Sequence, residues 1–467
     1  MHRRRPVANV VVLLPRRCTG LSSAFLKPRI FDVNSLKRWP VLVAMTLCAA
    51  LVGCKSIGGG SSTPSSVSLR VANASLTHPS LDLLVDAVPA SAGTASDTVG
   101  AYISAPSGGP TLQLNDAGSA TALITLAPTL VGGNHYTLLA YESGGVVKAS
   151  MLSEDFVAPV AGSAQLRVFV AAVDAGKLDV YITDPATDLA TLSTPTATSP
   201  AITDAFSTGL LTYGPGTYRV RVTGAGNKAD LRIDIPAVSL AALQIGTVVL
   251  TPASGGVLLN GSTLIQQGAY AATRNTNARV RLAAAVGSGA TVSASASAGT
   301  QSFPIDTGSA PAFGFYALVP ANSALNILVN NQSVGAPATA LTAGTDHTLL
   351  VYGTPANASA TLLADDNRTP SDPSSVKLRL INGITGIASN AALALTANSA
   401  LVASGILPAG VSAYVAVPGS ANPMNLSLTL STSPGVFYTN NTNVLNFKAV
   451  YNVMAGGDVA GPQLLIR

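Results

Sequence analysis

Charge, aromatic rings and sulfur are all scarce in this chain. Of its 467 residues, 10% are Asp, Glu, Lys or Arg and 5% are aromatic, with three Cys and one Trp. So few charges, beside 43 Gly and 29 Pro, argue against a coiled coil or helical bundle. What is present is apolar. At 48% of the chain it is enough to fill several cores and argues against wholesale disorder. A chain of this length is expected to divide into about three or four domains.

The net charge of +5 is unevenly placed. Residues 1–53 hold nine of the 26 basic residues (Arg3, Arg4, Arg5, Arg16, Arg17, Lys27, Arg29, Lys37, Arg38) and one of the 21 acids, Asp32. That leaves 17 basic against 20 acidic residues, a net of −3, without a Lys/Arg cluster. The remainder has no electrostatic footprint for nucleic acid.

Lys37-Arg38-Trp39-Pro40 precedes an apolar run from Val41 to Val52, which ends at Gly53-Cys54. Twelve residues are too short for a permanent bilayer span, which needs about 20. They fit the apolar region of a secretory signal. Basic flank, run length, small residue and Cys coincide, and Leu51-Val52-Gly53-Cys54 resembles the bacterial lipoprotein lipobox. That resemblance implies a diacylglycerol on the Cys54 thiol and cleavage before it. Residues 1–53 are then removed. Residues 1–36 fit no part of a signal, and translation from Val33 would give one of normal length; the alternative is a long basic leader. Cys18 and Cys48 leave with the signal, so the remaining chain has no thiol for a disulfide or a nucleophile. Residues 54–66 read as lipidated Cys and flexible tether. Lys55 stands where, by resemblance, Asp would favour the inner membrane, so the expected home is the outer membrane of a bacterial envelope.

Three landmarks then recur in order. Leu69-Arg70-Val71, Leu166-Arg167-Val168, Val280-Arg281-Leu282 and Leu378-Arg379-Leu380 each open an alternating, strand-like segment. Tyr102, Leu211, Tyr316 and Tyr414 each stand four residues before a Pro. His135-Tyr136-Thr137, Gly246-Thr247-Val248, His347-Thr348-Leu349 and Phe447-Lys448-Ala449 begin the third landmark. The expected modules are 67–157, 164–265, 277–365 and 376–467, separated by Pro-, Gly- and Asn-bearing linkers. Short alternating strands in units of about 100 residues predict an all-β chain: a tandem array of about four antiparallel immunoglobulin-like β-sandwich modules. An outer-membrane barrel would need aromatic girdles, and the only Trp, Trp39, is lost with the signal.

The modules resemble a repeated domain of unknown function found in bacterial envelope lipoproteins. The resemblance rests on Leu69-Arg70-Val71-Ala72-Asn73-Ala74-Ser75, Leu81-Asp82-Leu83-Leu84-Val85, Leu178-Asp179-Val180-Tyr181 and Gly133-Asn134-His135-Tyr136-Thr137. It is best over 67–157 and 164–250 and looser beyond. It implies no catalytic residues.

The residues themselves offer little chemistry. After Cys54 the His are His78, His135 and His347, without metal-ligand spacing. His135 and His347 fall at equivalent repeat positions, which predicts a structural role. The only Glu are Glu142 and Glu154. Asp82 and Asp179 are homologous and are expected at strand edges, paired with Arg70 or Arg167 or bonded to a turn. There is no Gly-x-Ser-x-Gly elbow. Gly224–Ala229 is too short for a phosphate loop. Asp365-Asp366-Asn367 lacks the Gly and Glu of a Ca²⁺ loop. Tyr102, Tyr316 and Tyr414 recur in register as core residues would. Each homologous Arg is expected to point outward or to the module rim and meet a carboxylate or backbone carbonyls within its own module or at the junction.

These features predict a non-catalytic lipoprotein, a structural or adhesion scaffold. Its partners would be the lipid membrane, through Cys54, and an envelope protein or polysaccharide. No catalytic, metal or cofactor residue is assigned. The alternative is a secreted hydrolase or polysaccharide-processing protein with a site among the module loops; a sensing role is neither supported nor opposed.

Overall fold

The computed structural model describes residues 65–200, 205–287 and 289–467. The expected signal segment, Cys54 and the expected tether up to Pro64 lie outside the described residues. Strands dominate; two single-turn 3₁₀ segments, Val173–Ala175 and Leu189–Thr191, are the only helical elements among the described residues.

Period-two alternation builds each sheet. In Ser80–Val85, Leu81, Leu83 and Val85 are buried while Ser80, Asp82 and Leu84 are partly exposed. Among the described residues eight sheets result, and they face each other two by two. In the first module Ser66–Asn73, Thr98–Val99, Ile103–Pro106, His135–Ser143 and Val146–Ser153 form one sheet. Ser80–Val85, Val88–Ala95, Leu112–Asp116 and Ala122–Leu126 form the other. Leu69, Val71, Leu81, Leu83, Leu114 and Leu138 fill the space between them. Each fully buried Leu contributes about 1.5–3 kcal/mol. Equivalent cores gather around Leu166, Val180 and Val222, around Val280, Val292 and Leu349, and around Leu378, Leu393 and Leu428.

The sandwiches are not wholly antiparallel. The opening strand of each module pairs in parallel with a late one: Ser66–Asn73 with His135–Ser143, and Ala164–Val170 with Ile245–Pro252. Asn277–Val286 pairs likewise with Asp346–Thr354, and Ser375–Thr385 with Val450–Asp458. The chain leaves the first sheet, lays down the second and returns, and this crossover lets two strands run the same way. The second module also extends past the expected residue 265. Tyr270–Thr273 adds a strand to Leu259–Ile265 through a turn in which Gln267 takes φ +53.

The parallel register corrects the third landmark. Arg70, Arg167, Arg281 and Arg379 stand opposite Thr137, Thr247, Thr348 and Asn452. His135 is opposite Ser68, two before its Arg, whereas His347 is opposite Val280, one before. The two His therefore project to opposite faces and are not equivalent. In the fourth module Val450-Tyr451-Asn452, not Phe447-Lys448-Ala449, corresponds to His135-Tyr136-Thr137.

Modules pack in pairs by the outer faces of these first sheets. Ala72, Leu139, Tyr141 and Leu152 of the first meet Phe169, Ala171, Val249 and Leu264 of the second. Ala283, Ala285, Phe313 and Leu350 of the third meet Ile381 and Met454 of the fourth. A Cβ added at Gly383 would stand 2.5 Å from the Ala285 methyl. The close approach of these two opening strands therefore depends on glycine.

Candidate functional site

Alternation places Leu69 and Val71 in the core and Arg70 on the opposite face. A neighbouring module covers that face, so Arg70 is 5% exposed, Arg281 2% and Arg379 3%. Arg167 is half-buried. A buried guanidinium must spend its donors, and each of these does.

Arg70 Nε donates to Thr137 Oγ1 at 2.9 Å and to Glu154 Oε1 at 3.3 Å, and Nη2 donates to Glu154 Oε2 at 2.7 Å. Its Nη1 crosses to the second module and donates to the Gly268 carbonyl at 2.8 Å. Glu154 also accepts from the Tyr102 hydroxyl at 2.8 Å and from the Gln267 backbone N–H. The guanidinium lies 4.5 Å from the Tyr102 ring centroid. Burial and then the bond to Glu154 push the Tyr102 hydroxyl pKa well up, so it stays a donor.

The same arrangement returns between the third and fourth modules. Arg281 Nε donates to Thr348 Oγ1 at 2.9 Å and Nη2 reaches Asp365 Oδ2 at 3.4 Å. Arg379 Nη2 pairs with Asp365 Oδ1, and its Nη1 donates to the Ala364 carbonyl at 2.8 Å. Tyr316 covers Arg281 at 4.4 Å and Tyr414 covers Arg379 at 4.7 Å. Tyr102, Tyr316 and Tyr414 thus cap guanidiniums and do not fill cores. Arg167 is the weak member. Its Nε donates to Thr247 Oγ1 at 2.9 Å and Nη2 to the Ser153 carbonyl at 3.3 Å, with Phe156 4.5 Å away as its ring. Burial lowers its pKa, with Glu154 acting in the other direction.

A third cluster, unmarked by the sequence reading, joins the second and third modules. Arg279 grips Asp346 through two bonds of 2.8 and 2.6 Å and reaches Asp230 of the second module at 2.6 Å. Arg232 holds the same Asp230 at 2.6 Å. Burial raises the Asp230 pKa, and the two guanidiniums outweigh that, leaving it below the usual carboxylate range. The available signal was Arg279 itself, two positions before the Arg row and on the same strand face.

The other candidates are dispersed. Asp82 accepts from the Gly93 and Gly118 N–H groups at 2.7 and 2.9 Å, and Asp179 accepts from Thr198 Oγ1 and Gly226 N–H. Both brace turns; neither pairs with Arg70 or Arg167. Glu142 accepts from Leu76 N–H, Thr77 N–H and Thr77 Oγ1. His78 meets Asp116, His135 meets Asp155, and His347 meets Thr345 Oγ1. Asp365, read as part of a failed Ca²⁺ loop, is an anchor for two arginines. Among the described residues no three His, Cys, Asp or Glu side chains converge as a metal site would require.

Fold and site together define an all-β protein of tandem sandwich modules fastened by buried Arg–carboxylate clusters. Residues 67–181 match the family model described as a domain of unknown function, DUF4397. The match runs through the first module and into the Leu178–Thr183 strand of the second. No curated protein matches the chain. Among solved structures the chain is similar to a candidate cell adhesion protein from Bacteroides uniformis. The two are 13% identical, over 44% of this chain and 99% of that one, with a TM-score of 0.19. A candidate cell adhesion protein from Bacteroides ovatus is 11% identical over 44% and 97%, with a TM-score of 0.17. The Bacillus anthracis TIE protein is 9% identical over 84% and 68%, with a TM-score of 0.13.

Proposed function

We propose that the chain is a non-catalytic scaffold of the bacterial cell envelope, held to the outer membrane by lipid on Cys54. Its modules would act as a braced array that carries binding surfaces, with an envelope protein or polysaccharide as partner. The observation that supports this reading is the commitment of both remaining Glu. Glu154 is consumed by Arg70, Thr137, Tyr102 and Gln267, and Glu142 by the backbone and hydroxyl of Leu76-Thr77. A general acid or base must reach a substrate proton, whereas these carboxylates fasten strands and modules together. The lipobox supports the anchor. Detergent phase partitioning tests it: the wild-type chain should enter the detergent phase and Cys54→Ser should remain in the aqueous phase. Equal partitioning of the two would overturn the anchor.

A further inference from the structure

Lysine is rare among the described residues: Lys148, Lys177, Lys228, Lys377 and Lys448 are the whole set. Three of these five line one cleft of about 530 Å³. The first module supplies Lys148, the fourth supplies Lys377 and Lys448, and the segment joining the third and fourth supplies Arg368. Asp174 of the second module and Asp366 complete its charged wall. Four cations therefore face two carboxylates, in a body that is slightly acidic overall. Asp366 is already paired with Lys377 at 3.0 Å.

Two polar atoms of this wall are buried and have no hydrogen-bond partner. One is Asp174 Oδ2, an acceptor; the other is Arg368 Nε, a donor. Groups left in that state cost stability unless a ligand or water completes them. Arg368 Nη2 is spent on the Ser254 carbonyl at 3.2 Å, which fixes the plane of the guanidinium. Burial raises the Asp174 pKa and Arg368 opposes that. Lys148 is exposed, and no ion pair holds it among the described residues.

A ligand that fits must do two things at once. It must bring an anionic group to the lysines and to Arg368 Nε. It must also bring an O–H or N–H donor to Asp174 Oδ2. A fully ionised inorganic anion such as sulfate offers the first without the second, and a neutral sugar offers the second without the first. No lining residue is aromatic, so stacking does not select the ligand. The volume lies within the roughly 300–1,000 Å³ of small-molecule clefts. The geometry points to a binding site for an acidic carbohydrate, a sugar ring bearing a carboxylate, at the junction of the first, second and fourth modules. It rests on the scaffold reading for its setting and adds to it a place and a ligand class.

Calorimetric titration of the full chain with digalacturonate, its dimethyl ester and inorganic sulfate tests the assignment. The diacid should bind, the ester should not, and sulfate should bind more weakly than the diacid. Lys148→Glu, a change at an exposed strand position, should weaken the diacid by about threefold to fivefold, the scale of one partly screened ion pair. The proposal is overturned if the diacid gives no binding, if ester or sulfate binds as well, or if Lys148→Glu changes nothing. Those outcomes leave the Cys54 partitioning result untouched, so the two readings fail separately.

Discussion

Arg281 and Arg379 stand 98 positions apart, in different modules, and are held by the single carboxylate of Asp365. Arg70 and Glu154 repeat half of that arrangement 211 positions earlier: Arg281 follows Arg70 by 211, Asp365 follows Glu154 by 211, and Thr348 follows Thr137 by 211. The unit of repetition in contacts is therefore a pair of modules packed face to face, twice over, and not a single module four times. Removing Asp365 would leave two guanidiniums buried without their counter-charge. Asp365→Ala should destabilise the third and fourth modules by about 3–5 kcal/mol, as breaking a buried ion pair does. Urea unfolding of the full chain reads this as a lower midpoint for one transition. Asp365→Asn, which keeps an acceptor for Thr348 Oγ1, should lose less.

The Arg row should not behave uniformly. Arg70→Ala strands Glu154 inside the junction and should cost about 3–5 kcal/mol. Arg167 gives up a bond to Thr247 Oγ1 and a 3.3 Å bond to the Ser153 carbonyl. Arg167→Ala should cost about 0.5–1.5 kcal/mol. Thermal unfolding of the two variants side by side gives the order; equal losses would remove Glu154 as the reason.

The fold class was legible because alternation survives in short strands such as Ser80–Val85, where every second residue is Leu or Val. The Arg row was legible for the same reason. Its destination, own module or junction, was left open. Alternation says that Arg70 faces away from Leu69, and it cannot say that a second module covers that face. Tyr102, Tyr316 and Tyr414 were misplaced by the same gap, since recurrence in register fits a cap on a guanidinium as well as a place in the core. The His135–His347 equivalence failed because it matched residue identities, while strand register is set by pairing with Ser68 and Val280. The cleft charges come from four stretches of chain, and no spacing in sequence marks them.

Gly383 offers a test of module packing that spares the charges. Its missing side chain lets the fourth module's opening strand approach Ala285. Gly383→Ala should overpack this contact and cost about 1–3 kcal/mol. Ala285→Gly in the same chain should recover part of that loss, because it removes the opposing methyl. A double-mutant cycle on denaturation midpoints measures the coupling, and additive losses would place the strain elsewhere.

His347 gives the third module a pH response. The imidazole is buried, and burial lowers its pKa below 6.5 against the pull of Asp365, Asp346 and the Leu363 backbone. The unfolded chain therefore binds this proton at a higher pH than the folded chain. Above pH 6.5 both states are neutral here and the residue adds no slope. As pH falls from 6.5 toward the folded pKa, the unfolded state gains protons first and stability is lost. Asp174 titrates above its ordinary 3.8 with the opposite sign, since a raised carboxyl favours the folded state as pH falls. The difference between wild type and His347→Gln cancels that contribution. The wild type should lose stability relative to His347→Gln as pH falls below 6.5, in melts taken at matched ionic strength. Parallel curves for the two chains would mean that the buried ring takes up its proton as readily as an exposed one.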